Sequence, residues 1–439
     1  PLVIRPREPD PIVSDREHVL LLTDWTDEDP RRVYRKLKKD AGYYNWRQRT
    51  AVDMLRDLRD KGWSETMADR LAWGGMRMSA GDLADVTGST YTYLLNGTAP
   101  AGNWTGAFVP GEKVRLRVIN GSAMTYFDLR IPGLKMTVVA ADGMPVRPVT
   151  VDEFRIAVAE TYDVIVEPSG ADAFTIFAQA MDRTGYAAGT LAVRAGLRAD
   201  VPALDPRPVL TMDDMGHHGS VEPQNAERRN EEHQNAERRN GQGGVTGADE
   251  HAGHAGHGGA TMQAHPASER RNPLVDMQTM MPTSRLDDPG IGLRGNGRRV
   301  LTYGDLRSTF DDPDGREPSR TIELHLTGHM DRFVWSFNGQ KFSDAEPIRL
   351  TYGERVRVVL VNDTMMTHPI HLHGMWSDVE DDAGRFMVRK HTVDMPPGSR
   401  RSYRVTADAL GRWAYHCHML FHMETGMMRE VHVVEGALS

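Results

Sequence analysis

The run Tyr352-Gly353-Glu354-Arg355-Val356-Arg357-Val358-Val359-Leu360 opens on a Gly-Glu turn and then alternates apolar and charged side chains. That period of two marks a β-strand with one face in a core. A second copy lies upstream as Pro110-Gly111-Glu112-Lys113-Val114-Arg115-Leu116-Arg117-Val118. The spacing between the copies is constant, for Asn96-Gly97 recurs as Asn338-Gly339, Gly111 as Gly353 and Asn120 as Asn362. Short strands of this kind between Gly, Pro and Asn turns predict an antiparallel β-sandwich, and the repeat predicts two of them. The expected fold class is mainly β.

The same register shows what the copies do not share. Met124-Thr125 aligns with Met366-Thr367, after which Tyr126 stands where the second copy has His368, and Leu129 where it has His371. Only the second copy carries His368-Pro369-Ile370-His371-Leu372-His373. It also holds the single cysteine of the chain, in His416-Cys417-His418-Met419-Leu420-Phe421-His422, followed by Met427. One thiolate, two imidazoles and a weak axial thioether are the ligands of a blue-copper centre. In extended chain alternate side chains face opposite ways, so His416 and His418 share one face and Cys417 takes the other. His371 and His373, two apart, also face one way. His368, Cys417, His422 and Met427 are therefore assigned to a mononuclear type 1 copper. His371, His373, His416 and His418 remain for a second, multinuclear site.

Composition bounds the rest. A chain of 439 residues with 39% hydrophobic and 26% charged content fits a soluble protein of several domains. No stretch is apolar enough for a membrane span, and a net charge of −8 offers no basic surface for nucleic acid. One cysteine excludes an intrachain disulfide, and the 24 methionines are ordinary core filler for the most part. The start at Pro1-Leu2-Val3-Ile4 carries no export signal, so such a signal is expected upstream.

Two segments interrupt the strand pattern. Asp29-Pro30 reads as a helix cap followed by proline at the first helical position, and Val33, Leu37, Val52, Leu55 and Leu58 recur at helical spacing. Two or three short helices are expected within residues 30–73, where Met54, Met67, Met76 and Met78 are candidates for a Cu(I) docking surface or for ordinary packing. Residues 205–298 are poor in apolar side chains and repeat Gln224–Asn230 at Gln234–Asn240, which predicts a disordered, flexible linker. The linker histidines at 217, 218, 251, 254, 257 and 265, with His251, His254 and His257 in a Gly-rich tract, are either loose copper chelators or part of a solvated tether.

The two histidine segments resemble the C-terminal copper motifs of multicopper oxidases. The wider chain resembles the periplasmic copper-resistance protein A type in Asn96-Gly97, in Ala99–Gly106, in Ile119–Tyr126 and in Gly411-Arg412-Trp413-Ala414-Tyr415. The resemblance implies two cupredoxin-like, Greek-key domains. Residues 15–204 would form one without copper, spacing the copper domain from what precedes it. Residues 299–439 would be the copper domain, and residues 1–14 the end of a preceding one. It implies periplasmic localisation and copper as cofactor, with His371 on a type 2 copper and His373, His416 and His418 on a type 3 pair. Electrons would come from Cu(I) or a small phenolic donor, pass through His416-Cys417-His418, and reduce dioxygen to water.

The chain departs from the family pattern in one respect. The complete cluster takes four further histidines from two His-x-His motifs, whereas here His-x-His occurs only at 371/373 and 416/418. The expectation is that these residues build the type 1 site and half of the trinuclear cluster. A copper-sequestering protein and an electron-transfer cupredoxin are the competing readings. Glu424, close after His422, is a candidate for proton delivery or a solvated loop carboxylate. His325, His329, His391 and His432 are expected to be hydrogen-bonded or exposed, His18 precedes an apolar strand and carries no signal, and Asp394–Gly398 is expected to form a turn.

Overall fold

In a computed structural model the described residues are 10–45, 49–75, 77, 79–216 and 262–436. The first sandwich contains β1 (Arg16–Trp25), β2 (Thr92–Leu95), β3 (Trp104–Ala107), β4 (Val114–Asn120), β5 (Phe127–Arg130), β6 (Met136–Ala141), β7 (Met144–Val151), β8 (Glu153–Ile156), β9 (Thr161–Val166), β10 (Ala173–Ala180) and β11 (Tyr186–Ala192). The second contains β12 (Arg320–His329), β13 (Val334–Phe337), β14 (Ile348–Thr351), β15 (Arg355–Asn362), β16 (His368–Leu372), β17 (Ser377–Glu380), β18 (Phe386–Lys390), β19 (Thr392–Met395), β20 (Arg400–Thr406), β21 (Gly411–Cys417) and β22 (Met428–Val434). Sheet orders are β2-β1-β4-β9-β6-β7 with β3-β11-β10-β5-β8, and β13-β12-β15-β20-β17-β18 with β14-β22-β21-β16-β19. The two copies thus correspond strand for strand.

The repeated asparagines explain why the copies share a shape. Asn96 and Asn338 both have φ of 51°, followed by Gly97 at 74° and Gly339 at 70°, as a type I′ turn requires. Asn96 also accepts from Leu21 N–H at 2.7 Å, and Asn338 from His325 N–H at 2.7 Å. Asn120 and Asn362 are buried clamps at the ends of β4 and β15. Asn120 donates to the carbonyls of Thr125 and Ile156 and accepts from Ser122 N–H. Asn362 donates to those of Met366 and Met395 and accepts from Thr364 N–H.

Each sheet holds one parallel pair, so the sandwiches are mixed rather than antiparallel. The pairs are β1 with β4, β3 with β11, β12 with β15, and β14 with β22. Side-chain alternation fixes which face is buried but carries no record of strand direction. Direction is set by the long crossovers, such as the excursion between β1 and β4.

That excursion carries the helical insertion: α1 (Pro30–Lys39), α2 (Ala51–Lys61) and α3 (Trp63–Gly75). Asp29 caps α1 at Arg31 N–H, and Thr50 with Asp53 forms a capping box on α2. Helix α1 buries Val33 and Leu37, and Lys38 Nζ donates to the carbonyls of Arg332 and Phe333 at 2.7 and 3.0 Å. The insertion is therefore docked on the second sandwich. Among the described residues no helix is long and apolar enough to cross a membrane.

The expected flexible linker is corrected at both of its ends. Residues 205–216 and 262–298 follow defined paths, with Leu210, Met215, Leu286 and Leu293 buried and Thr283 bridging to Ser399. Arg298 pairs with Glu153 at 2.7 Å and Arg294 with Asp214 at 2.6 Å. Apolar anchors spaced singly along a strap give no periodic signal, and its charges are satisfied partly by the sandwiches and partly within the strap, where Arg294 meets Asp214 and Asp288. His217, His218, His251, His254, His257 and the Gln-Asn repeat lie outside the described residues, as do Pro1 to Pro9.

Replacing Asn120 or Asn362 by alanine orphans several buried backbone groups, each worth about 1–3 kcal/mol. Both variants are expected to melt several degrees lower in a thermal scan. Asn362→Ala is expected to alter the copper absorption spectrum more strongly than Asn120→Ala, because Asn362 holds the loop that leads into His368 whereas Asn120 reaches the chain around His422 only through Ala123 and Met124.

Candidate metal centre

Strands β16 and β21 are adjacent and antiparallel, with Ile370 opposite Cys417 and His371 opposite His416. Past the last pair, His418 N–H donates to Pro369 C=O at 2.7 Å, extending the pairing by one residue. Cys417 projects to the interior and is fully buried, together with His368, His422 and Met427. Its Sγ lies 3.6 Å from His368 Nδ1 and 3.8 Å from His422 Nδ1, and the two nitrogens are 3.0 Å apart. Ligands on a trigonal first-row metal, with bonds of about 2.0–2.3 Å, stand roughly 3.5–3.7 Å from one another. The two sulfur–nitrogen distances are close to that spacing, and the shorter nitrogen–nitrogen distance corresponds to a narrower angle between the imidazoles at a single ion. Cys417 N–H donates to Met427 C=O at 3.1 Å and Met427 N–H to His422 C=O at 3.0 Å, which brings the thioether-bearing residue against both ligands.

The second nitrogen of each imidazole is already engaged. His368 Nε2 meets Thr364 Oγ1 at 2.7 Å, and His422 Nε2 meets the Asp85 carboxylate at 2.6 Å. Such outer contacts orient the ring and leave Nδ1 for the metal. Trp335 lies over His422, with centroids 4.2 Å apart and an interplanar angle of 30°, and edge-on to His368 at 5.2 Å. Burial, aided by the neighbouring His422, holds the His368 pKa well below its ordinary value, and burial pushes that of the Cys417 thiol up. A neutral imidazole is ready to coordinate, and a thiol so placed gives up its proton only to a compensating cation.

On the other side of the strand pair four more imidazoles converge. Ring centroids are 4.6 Å apart for His371 and His373, 5.2 Å for His373 and His416, 5.3 Å for His416 and His418, and 5.8 Å for His371 and His418. His373 Nε2 and His416 Nε2 approach to 3.1 Å. His371 Nδ1 donates to the His391 carbonyl at 2.6 Å and His416 Nδ1 to that of Cys417 at 2.9 Å, which leaves Nε2 on each as the donor to a metal. Burial pushes the pKa values of His371 and His418 down to about 4 and lowers that of His416. His373 is exposed, so the group opens on one side.

Several functional contacts were not expected from the sequence. Asp85, Thr364 and Trp335 shape the cysteine pocket, and His391 fixes His371 through its carbonyl. Sequence gives no signal for Asp85, which joins His422 from another domain. Thr364 stands two residues after Asn362, and nothing in the sequence marks it as a support of His368. Glu424 is exposed on α4 (Leu420–Thr425), where its charge adds to burial in raising the Tyr34 pKa, and among the described residues it makes no ion pair with the four histidines. His18 meets the Ala107 carbonyl, His329 lies beside Arg77 and Asp276, and His432 pairs with Glu430. Met54 and Met67 are half-buried on α2 and α3, while Met76 and Met78 lie outside the described residues.

Residues 16–196 and 315–437 each match a family model described as multicopper oxidase, and the chain belongs to that family of copper-dependent oxidoreductases. Its similarity is most specific to copper-resistance proteins. It is 64% identical over 445 residues to the copper resistance protein A homolog of Pseudomonas syringae pv. tomato and 63% identical over 456 residues to the copper resistance protein A of Escherichia coli. Each match covers 99% of this chain and 74% of the relative. In fold the chain resembles the crystal structure of Fet3p, described as a multicopper oxidase that functions in iron import, with a TM-score of 0.55 at 15% identity. It also resembles a laccase mutant from B. aclada, with a TM-score of 0.56 at 15% identity. The chain spans 66% of each of those structures, which cover 96% and 97% of it.

Removing the carboxylate that holds His422 tests the geometry directly. Asp85→Ala is expected to weaken copper at Cys417 by about 10–100-fold. Chelator competition followed by the thiolate-to-copper absorption band reads that loss, and Cys417→Ser should abolish the band.

Proposed function

We propose that the protein oxidises Cu(I) in the periplasm as part of copper resistance, with phenolic compounds as alternative donors, and passes the electrons to dioxygen. The observation that carries this reading is the Asp85–His422 contact, because Asp85 also lines an open cleft of about 540 Å³ between the helical insertion and the second sandwich. Asp40, Asp82, Asp331, Met330 and Met366 line the same cleft together with Lys39 and Arg77, the latter 3.6 Å from Asp331, so the carboxylates outnumber the cations. Carboxylates attract a cation and thioethers favour Cu(I). A donor held there is one side chain from a ligand of the cysteine pocket. Met330, half-buried on the cleft wall, is a better docking candidate than Met54 and Met67, while Met366 is buried behind it.

Bound copper supplies one-electron acceptance at the first group and dioxygen reduction at the second. In this reading His368, Cys417, His422 and Met427 hold the type 1 ion, His371 the type 2 ion, and His373, His416 and His418 part of the type 3 pair. Cys417 carries the electron from its side chain into a backbone shared with His416 and His418, so no diffusing carrier is needed. Trp335 and the surrounding core exclude water from the thiolate. The chain's own contribution to the cluster is four imidazoles on an open face. The resemblance to the family implies eight, so the remainder have to come from residues outside these 439. The electron-transfer reading describes the 439 residues by themselves.

Two measurements test this. The 439-residue protein loaded with copper should be bleached by Cu(I) and reoxidised by an added acceptor, without sustained oxygen uptake; steady oxygen consumption would show that four imidazoles suffice. The cleft predicts a pH effect as well. Burial, opposed by the Ser79 N–H and reinforced by the Asp85 charge, pushes the Asp82 pKa up to about 6. Asp82 is ionised above that pH and neutral below it, so the KM for Cu(I) should rise as pH falls through 6. A KM flat between pH 5 and 8 removes Asp82 from donor binding.

A further inference from the structure

A second group of side chains able to hold a metal lies where the strap meets β12 and the end of β15. His265 and Glu269 come from the strap 262–298, His325 from β12, and Asp363 from the residue that follows β15. One donor atom from each falls within 4.8 Å of the others. Asp363 Oδ2 is 2.6 Å from His325 Nδ1 and 3.2 Å from His265 Nδ1. His265 Nδ1 is 3.3 Å from Glu269 Oε2, and His325 Nδ1 is 3.7 Å from Glu269 Oε1. The two Glu269 distances involve its two different oxygens; four ligands at about 2.0 Å in a tetrahedron stand roughly 3.3 Å apart, inside the 4.8 Å that bounds one donor atom from each residue.

The surroundings favour positive charge at the centre of this group. Glu269, His325 and Asp363 are buried, and Glu269 Oε1 has no hydrogen-bond partner. Gln278 holds the other oxygen of Glu269 at 2.8 Å, and Thr279 N–H holds the other oxygen of Asp363 at 2.8 Å. His265 Nε2 donates to the Thr279 carbonyl at 3.0 Å, which turns Nδ1 toward the carboxylates. A neutral imidazole presents a lone pair there, against oxygens that are also acceptors. Only a proton or a metal ion makes that contact favourable. Two neutral imidazoles, two carboxylates and one divalent ion sum to zero charge, which is what a buried site needs.

We propose that His265, Glu269, His325 and Asp363 form a closed, four-ligand site for a borderline divalent transition ion, Cu²⁺ or Zn²⁺, separate from the oxidase coppers. All four positions are filled by protein, so the site is structural rather than catalytic. It ties the strap to β12 and to Asp363. The next residue, Thr364, supports His368, so the ion braces the base of the loop that enters the cysteine pocket.

Crystals of chelator-stripped protein soaked separately in zinc chloride and copper sulfate, with data at each absorption edge, test the proposal. The expected result is an anomalous peak about 2.0–2.2 Å from all four donor atoms. A peak in only one soak supports the site and identifies its ion. In solution, Glu269→Gln should lower the affinity for one metal equivalent at least about 10-fold, with the Cys417 copper band retained as the sign of correct folding. Should that variant fail to fold, His265→Gln, at the rim of the cluster, serves instead. Absence of a peak in both soaks, or an unchanged metal count in the folded variant, overturns the proposal and leaves protons as the filling of the cluster.

Discussion

The register between β16 and β21 is the constraint on which both metal groups depend. With Ile370 opposite Cys417 and His371 opposite His416, the alternation of side chains sends sulfur into the core and imidazoles to the far side. A slip of one residue would exchange the two faces and destroy both donor sets at once. The first sandwich shows that the strands do not need metal to pair. At matching positions it has Tyr126 and Leu129, both buried, and the same sheet order. Copper ligation is therefore added to a sandwich that folds on its apolar faces.

The first sandwich has acquired a different task, and its residues finish the site of the second. Ala123 C=O accepts from Leu420 N–H at 2.9 Å, and Met124 sulfur accepts from Phe421 N–H at 3.4 Å, so the chain around His422 rests on the upstream domain. Tyr126, where the other copy has a ligand, donates to Asp394 at 2.8 Å. Lys390 is fully buried between Asp142 at 3.0 Å and Glu160 at 3.1 Å, and those carboxylates raise its pKa against the effect of burial. Asp142 also accepts from the N–H groups of His391 and Thr392, each at 3.2 Å. Because the His391 carbonyl fixes His371, a buried charge pair between domains sets the orientation of a cluster histidine.

Sequence made the sandwiches, the insertion and the ligand-bearing strands legible because each rests on a local period. Alternation located β4 and β15, Asn-Gly located the turns, and Asp29-Pro30 located the start of α1. What stayed hidden depends on long-range packing. Asp85 is an ordinary loop aspartate until the insertion docks, and the strap 262–298 looks like a tether because its anchors are single residues. His325 reads as one histidine in a strand and acquires meaning only when Asp363 and the strap close over it. Parallel pairing within the sheets was invisible for the same reason, since strand direction is decided by connections and not by the strands.

In the proposed type 1 site, the hydrogen bond that His422 donates to Asp85 makes metal retention a property of the assembled molecule and not of the cupredoxin that supplies the ligands. A second sandwich cut loose from the first would keep Cys417 and His368 on their strands and Met427 just before β22, yet leave the His422 ring without the hydrogen bond that orients it. Blue colour in a preparation thus reports that the two halves are seated on each other, and bleaching without reductant is an early sign that they have come apart.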